Sequence, residues 1–151
     1  MSSLRDLYQE VIMDHNRNPR NSGTLEDANH KGEGFNPLCG DEIQLYLYVN
    51  DDSIIEKIRF EGKGCAISTA SASIMTETLC GCSVDAAKEY FHAFCASITG
   101  EMTDADKNVD LGKLEVLNGV SEYPARVKCA TLAWHTLSAA LQGDTGSVKT
   151  E

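Results

Sequence analysis

The chain predicts an α+β fold, a small antiparallel sheet packed on one side by helices. Two observations carry this. Apolar residues alternate with polar ones from Ile43 to Val49 and return on one face at Ile54, Ile58 and Phe60, the period of half-buried strands. After Gly62 and Gly64 the period changes, and the rest of the chain to Gly143 reads as helices separated by polar stretches. Strands and helices that fall in separate runs build segregated layers rather than βαβ units. With 151 residues and neither internal repeat nor linker, residues 1–151 read as a single domain.

Each element has a local reason. Leu4, Leu7, Tyr8, Val11, Ile12 and His15 form one face of an amphipathic helix that ends before Pro19. A polar Gly/Asn/Asp stretch follows to about His30. Ile43, Leu45, Leu47 and Val49 make a strand, and Asn50-Asp51-Asp52-Ser53 turns it into a hairpin with the next. The segment from Cys65 to Cys80 has no breaker and many small residues, so it predicts a helix able to lie close to a sheet. Gly81 suits the left-handed end of that helix, and Ser83 suits the N-cap of the next. Val84, Ala87, Phe91, Phe94 and Ile98 mark that helix's buried stripe. The stretch from Gly100 to Asp110 is acidic and polar, and Leu111, Leu114 and Leu117 then predict a short helix stopped by Gly119. A last helix runs from Pro124 to Gly143 with Val127, Ala130, Trp134, Leu137 and Leu141 inward. Residues 144–151 read as a frayed tail.

Composition narrows the function. A formal net charge of -10 argues against nucleic acid as a partner, because phosphate binding needs a basic face. The N-terminus lacks the apolar core of a signal peptide, and no apolar run approaches membrane-spanning length. The expected location is therefore the cytoplasm, where the six cysteines point to metal or catalysis rather than disulfides.

Three of those cysteines are placed for chemistry. Cys39 lies in a Pro/Gly-marked loop, separated from Asp41 only by Gly40. Cys65 and Cys129 are expected to open helices, where the N-terminal field lowers a thiol pKa. A single such cysteine would read as a buried core residue. Three of them, each beside glycine, basic or acidic residues, suggest a four-ligand site of Cys39, Asp41, Cys65 and Cys129, provided the tertiary structure brings them together.

Asn36-Pro37-x-Cys39-Gly40-Asp41, Gly64-Cys65-x-Ile67-Ser68-x-Ala70-Ser71-Ala72-Ser73 and Tyr123-Pro124-Ala125-Arg126-Val127-Lys128-Cys129-Ala130-x-Leu132-x-Trp134 resemble the SufU branch of the IscU/NifU-type iron–sulfur cluster assembly proteins. The similarity spans nearly the whole chain. It implies the same fold, zinc on Cys39, Asp41, Cys65 and Cys129, and a cysteine desulfurase as partner. In the IscU branch a histidine precedes the last cysteine; here the position is Lys128, which cannot bind metal while protonated. The stretch from Gly100 to Gly119 is similar to the insertion of the SufU branch. The resemblance thus implies a zinc-dependent sulfurtransferase, with a scaffold for a labile [2Fe-2S] cluster as the alternative. It also extends to Arg126, which is assigned a role in the reaction.

The chemistry agrees. Zinc prefers tetrahedral sulfur and nitrogen ligands, and three thiolates with one carboxylate leave about -2 of formal charge. A sulfur acceptor must be a thiolate that can reach the donor, and Cys39, in its loop, is the candidate nucleophile. Cys80-Gly81-Cys82 looks like half of a metal clip, but no second half is found, so it reads as two thiols at a helix end. Cys95 is assigned to the core and His15 to its edge. His30, His92 and His135 show no ligand spacing.

Overall fold

The alternating segment is the central partner in a four-stranded sheet. The computed structural model describes residues 4–37, 40–120, 123–143 and 147–149. Helix α1 (Leu4–Arg17) precedes strands β1 (His30–Asn36), β2 (Asp41–Val49) and β3 (Ile55–Lys63). Helices α2 (Ala66–Leu79), α3 (Val84–Thr99) and one-turn α4 (Asp104–Lys107) follow, then a 3-10 helix (Gly112–Val120), helix α5 (Pro124–Leu141) and strand β4 (Ser147–Lys149). The order across the sheet is β3-β2-β1-β4; the three long strands are antiparallel, and β4 runs parallel to β1. The α+β arrangement is as expected.

The inward face of β2 is Asp41, Ile43, Leu45 and Leu47, all buried. The alternation read from Ile43 therefore extends back to Asp41 and puts a carboxylate on the core side. Strand β1 was not foreseen because its inward positions, Gly32, Gly34 and Asn36, carry no apolar side chain. They pair with Leu45, Ile43 and Asp41 across the ladder. A Cβ at Gly32 would lie 2.9 Å from the carbonyl oxygen of Thr136, and one at Gly34 would overlap the Thr136 hydroxyl. Glycine here lets α5 lie directly on the sheet.

Between β2 and β3 the register passes from Tyr48–Lys57 to Val49–Ile55. Glu56 is thus an extra residue, a bulge that turns Ile55, rather than the expected Ile54, into the core. The tail also differs from expectation. Residues 147–149 are not frayed but pair with Glu33, Gly34 and Phe35 of β1. They satisfy the backbone groups of what would otherwise be an open sheet edge. Residues 144–146, 150 and 151 lie outside the described set.

Helices α2 and α5 cover the inner face. The small residues of α2, Ser68 and Ala70 to Ser73, are buried, and the Ser71 hydroxyl donates to the Ala130 carbonyl at 2.5 Å. Ser83 caps α3 by accepting from the N–H of Ala86 at 3.1 Å, and Gly100 closes it in the left-handed conformation. Leu111, Leu114, Leu117 and Val120 are all buried. Their spacing of three matches the three residues per turn of the 3-10 helix that carries Leu114, Leu117 and Val120. Trp134 of α5 stacks 5.1 Å from Phe94 of α3 at the centre of this layer.

Candidate metal centre

Four chain segments converge beside the last rung of the β1–β2 ladder. That rung pairs Asn36 with Asp41, and both side chains are buried. Cys65 is the N-cap of α2, as expected, and its sulfur accepts from the N–H of Ser68 at 3.4 Å. Cys129 is 1% exposed and is the sixth residue of α5, not its opening residue. The helix field decays within the first turn, so Cys65 stands within it and Cys129 lies beyond it.

Asp41 is positioned from several sides. One oxygen, Oδ1, accepts the backbone N–H of Cys65 at 2.7 Å. The other, Oδ2, accepts from the Asn36 amide at 3.3 Å and faces the Cys65 thiol at 3.9 Å. Gly64 makes room for it: a Cβ there would overlap Asp41 Oδ1. Among the described residues no cation contacts this buried carboxylate.

One ligand atom from each of Asp41, Cys65 and Cys129 lies within 4.8 Å of the others. Tetrahedral zinc with Zn–S near 2.3 Å sets neighbouring ligands about 3.5–3.8 Å apart, so small side-chain adjustments suffice. The donor set also asks for a cation. Ionised, these three groups are all negative, and burying them together is costly without compensation. The residues therefore fit a divalent metal. Cys39, expected as the fourth ligand, lies outside the described residues, two positions from Asp41. The N–H of Gly40 donates to the Asn36 carbonyl at 2.9 Å, and Gly40 has φ 71°, a left-handed turn that favours glycine.

Arg126 stands in the first turn of α5, exposed, with its guanidinium carbon 5.0 Å over the Tyr123 ring. Lys128 is half-buried. The other expectations resolve by position. Cys80 is exposed and Cys82 half-buried, and their thiols donate to the carbonyls of Glu56 at 3.5 Å and Thr78 at 3.4 Å. Cys95 is half-buried, and burial pushes its thiol up to about 12. His15 is fully buried rather than at the core edge, with Nδ1 2.7 Å from the Ser73 hydroxyl. His92 bonds Asp106 at 2.6 Å, a pairing not foreseen.

Sequence reasoning missed what Asn36 and Gly64 do. Both stood in the quoted motifs, but their roles depend on β1 pairing with β2 and on Asp41 facing inward. The only available signal was the alternation that runs back from Ile43 to Asp41.

The sequence matches the NifU-like N terminal domain family over residues 7–142. It is 43% identical over 145 residues to the zinc-dependent sulfurtransferase SufU of Bacillus subtilis (strain 168), covering 96% of each chain. It is 40% identical over 142 residues to the iron–sulfur cluster assembly scaffold protein IscU of Streptococcus pyogenes serotype M1, covering 94% of this chain and 87% of that one. The fold is similar to the crystal structure of a protein described as a scaffold for the SUF system from Fervidobacterium islandicum AW-1. That match has a TM-score of 0.82 at 39% identity, over 89% of this chain and 96% of that one.

Proposed function

Because the chain belongs to the NifU-like N-terminal domain family, we propose that it is a zinc-dependent sulfurtransferase that accepts persulfide sulfur from a cysteine desulfurase for iron–sulfur cluster assembly. The observation that carries this is the convergence of Asp41, Cys65 and Cys129 ligand atoms within 4.8 Å. The similarity to a zinc-dependent sulfurtransferase over 96% of the chain supports the same reading.

Cys39, Asp41, Cys65 and Cys129 hold the metal. Zinc bound there would supply no redox chemistry and would keep its thiol ligands deprotonated at neutral pH. Cys39 is the acceptor. Its thiolate attacks the outer sulfur of the donor persulfide; the donor's S–S bond breaks, its cysteine leaves as a thiolate, and a new S–S bond forms on Cys39. The exchange is isoelectronic and needs no added oxidant. Asp41, the hardest ligand of the set, would hold the metal together with Cys65 and Cys129. Arg126, exposed three residues before Cys129, offsets the negative charge that the entering persulfide brings. The protein works as one domain in the cytosol, where thiols stay reduced. Among its described residues no helix is long and apolar enough to cross a membrane.

A second reading has one specific support, the 40% identity to an IscU scaffold. There the same residues would hold a [2Fe-2S] cluster as cargo. One experiment separates the two. After incubation with desulfurase and cysteine, mass spectrometry should find about 32 Da per transferred sulfur on the Cys39 peptide. Cys39→Ser should abolish stimulation of the desulfurase. A brown protein carrying iron and sulfide, with no persulfide and no stimulation, would replace this reading with the scaffold.

A further inference from the structure

We infer that Asn36 is a positioning residue of the metal centre, its carboxamide bridging a carboxylate ligand and a thiolate ligand and thereby restraining Cys129 as a holding ligand. The inference rests on the metal-site reading above. Asn36 is the last residue of β1, fully buried on the face covered by α5. Its Nδ2 donates to Asp41 Oδ2 at 3.3 Å and to Cys129 Sγ at 3.4 Å. No other described side chain donates to both. Both partners are acceptors once ionised, so the amide must present its nitrogen to them; the flipped amide would set oxygen against oxygen and sulfur.

Two consequences follow from this geometry. The first concerns Asp41. Its Oδ1 is engaged by the backbone N–H of Cys65, and Oδ2 is held by Asn36 on the side of the Cys65 sulfur. The carboxylate thus has a fixed orientation before any metal arrives. The second concerns Cys129. An N–H···S bond stabilises the sulfur lone pairs, which makes that thiolate a weaker nucleophile. Cys129 is also buried. The Asn36 bond and burial together keep Cys129 as a holding ligand.

The test uses the full chain with Asn36→Leu, which keeps the branched shape and removes the donor, and Asn36→Ala, which removes the side-chain bulk as well. Circular dichroism establishes folding, and titration with Zn(II) and Co(II) gives affinity. Loss of an outer-shell partner should weaken both metals about 10- to 100-fold. The thiolate-to-cobalt charge-transfer band should move to longer wavelength, because the unbonded sulfur is a better donor. After desulfurase treatment, persulfide should appear on the Cys129 peptide as well as the Cys39 peptide. Folded variants with wild-type affinity and an unmoved band would overturn the inference. So would failure of both variants to fold, which would make Asn36 a folding residue. If the wild-type chain itself bound neither metal, the metal-site reading would fall instead, so the two failures are distinguishable.

Discussion

Helix α2 has a cysteine at each end, and the two ends behave oppositely. Cys65 caps the N-terminus and Cys80 the C-terminus, 14 helical residues apart, a span of about 21 Å. At the first end Cys65 meets Asp41, Cys129 and Asn36, drawn from three other chain segments. At the second, Cys80 and Cys82 flank Gly81 in a turn tied to β3 by the Gly81 N–H and the Ile55 carbonyl at 2.7 Å. Both of its thiols donate to backbone carbonyls. The two ends also differ in polarity, since the helix dipole is positive at its N-terminus and negative at its C-terminus. Cysteines close in sequence do not make a metal site; converging donors from distant segments do.

The largest effects should fall on the cysteines themselves. Cys65→Ser or Cys129→Ser should reduce bound zinc from about one per chain to nearly none, while Cys80→Ser and Cys82→Ser leave it unchanged. Zinc analysis of the purified variants decides this. Zinc lost with Cys80 or Cys82 would erase the contrast between the two ends.

The glycines beside these cysteines sharpen it. Gly64→Ala collides with the Asp41 carboxylate. It should cost about 1–3 kcal/mol of overpacking and weaken zinc binding together with stability. Gly81 has φ 90° with nothing near its missing Cβ. Gly81→Ala should cost about 1–2 kcal/mol of left-handed strain and leave zinc affinity unchanged. Denaturant unfolding paired with zinc titration tests both. Equal zinc affinities for the two variants would contradict the assignment of Gly64 to the carboxylate.

The smallest effect belongs to the middle of α2, where Ser73 meets His15. Burial, helped by the charges of Arg20 and Lys113, holds the His15 imidazole below its usual value, and burial does the same for His135. A depressed histidine pKa means that the unfolded chain binds protons more readily. Stability should therefore be full above about pH 6.5 and fall as pH drops below it. Melting temperature measured from pH 7.5 to 5.5 should decline, and His15→Gln should flatten the slope. A wild-type profile with no decline in this window would show that neither histidine is held neutral by the fold.

Much of this was legible in the chain. The alternation from Ile43 to Leu47, the small residues of α2, the caps at Ser83 and Gly100 and the apolar stripe of α5 each express a local rule. Local rules survive into the structure wherever one face of an element must be buried. Cys65 at a helix N-terminus was legible too, whereas the meeting of Asp41 with Cys65 and Cys129 was only an expectation that the tertiary structure had to supply. Strand β1 was not, because an element whose inward positions are Gly32, Gly34 and Asn36 shows no hydrophobic period. Strand β4 was not, because three residues carry too little pattern. The place of Cys129 in the second turn of α5, the bulge at Glu56 and the amide bridge from Asn36 were settled only in three dimensions. Each depends on pairings between residues far apart in sequence, such as the 93 positions separating Asn36 from Cys129. Periodicity reports which face of an element is apolar. It does not report which other element that face will meet, and the metal centre is built from such meetings.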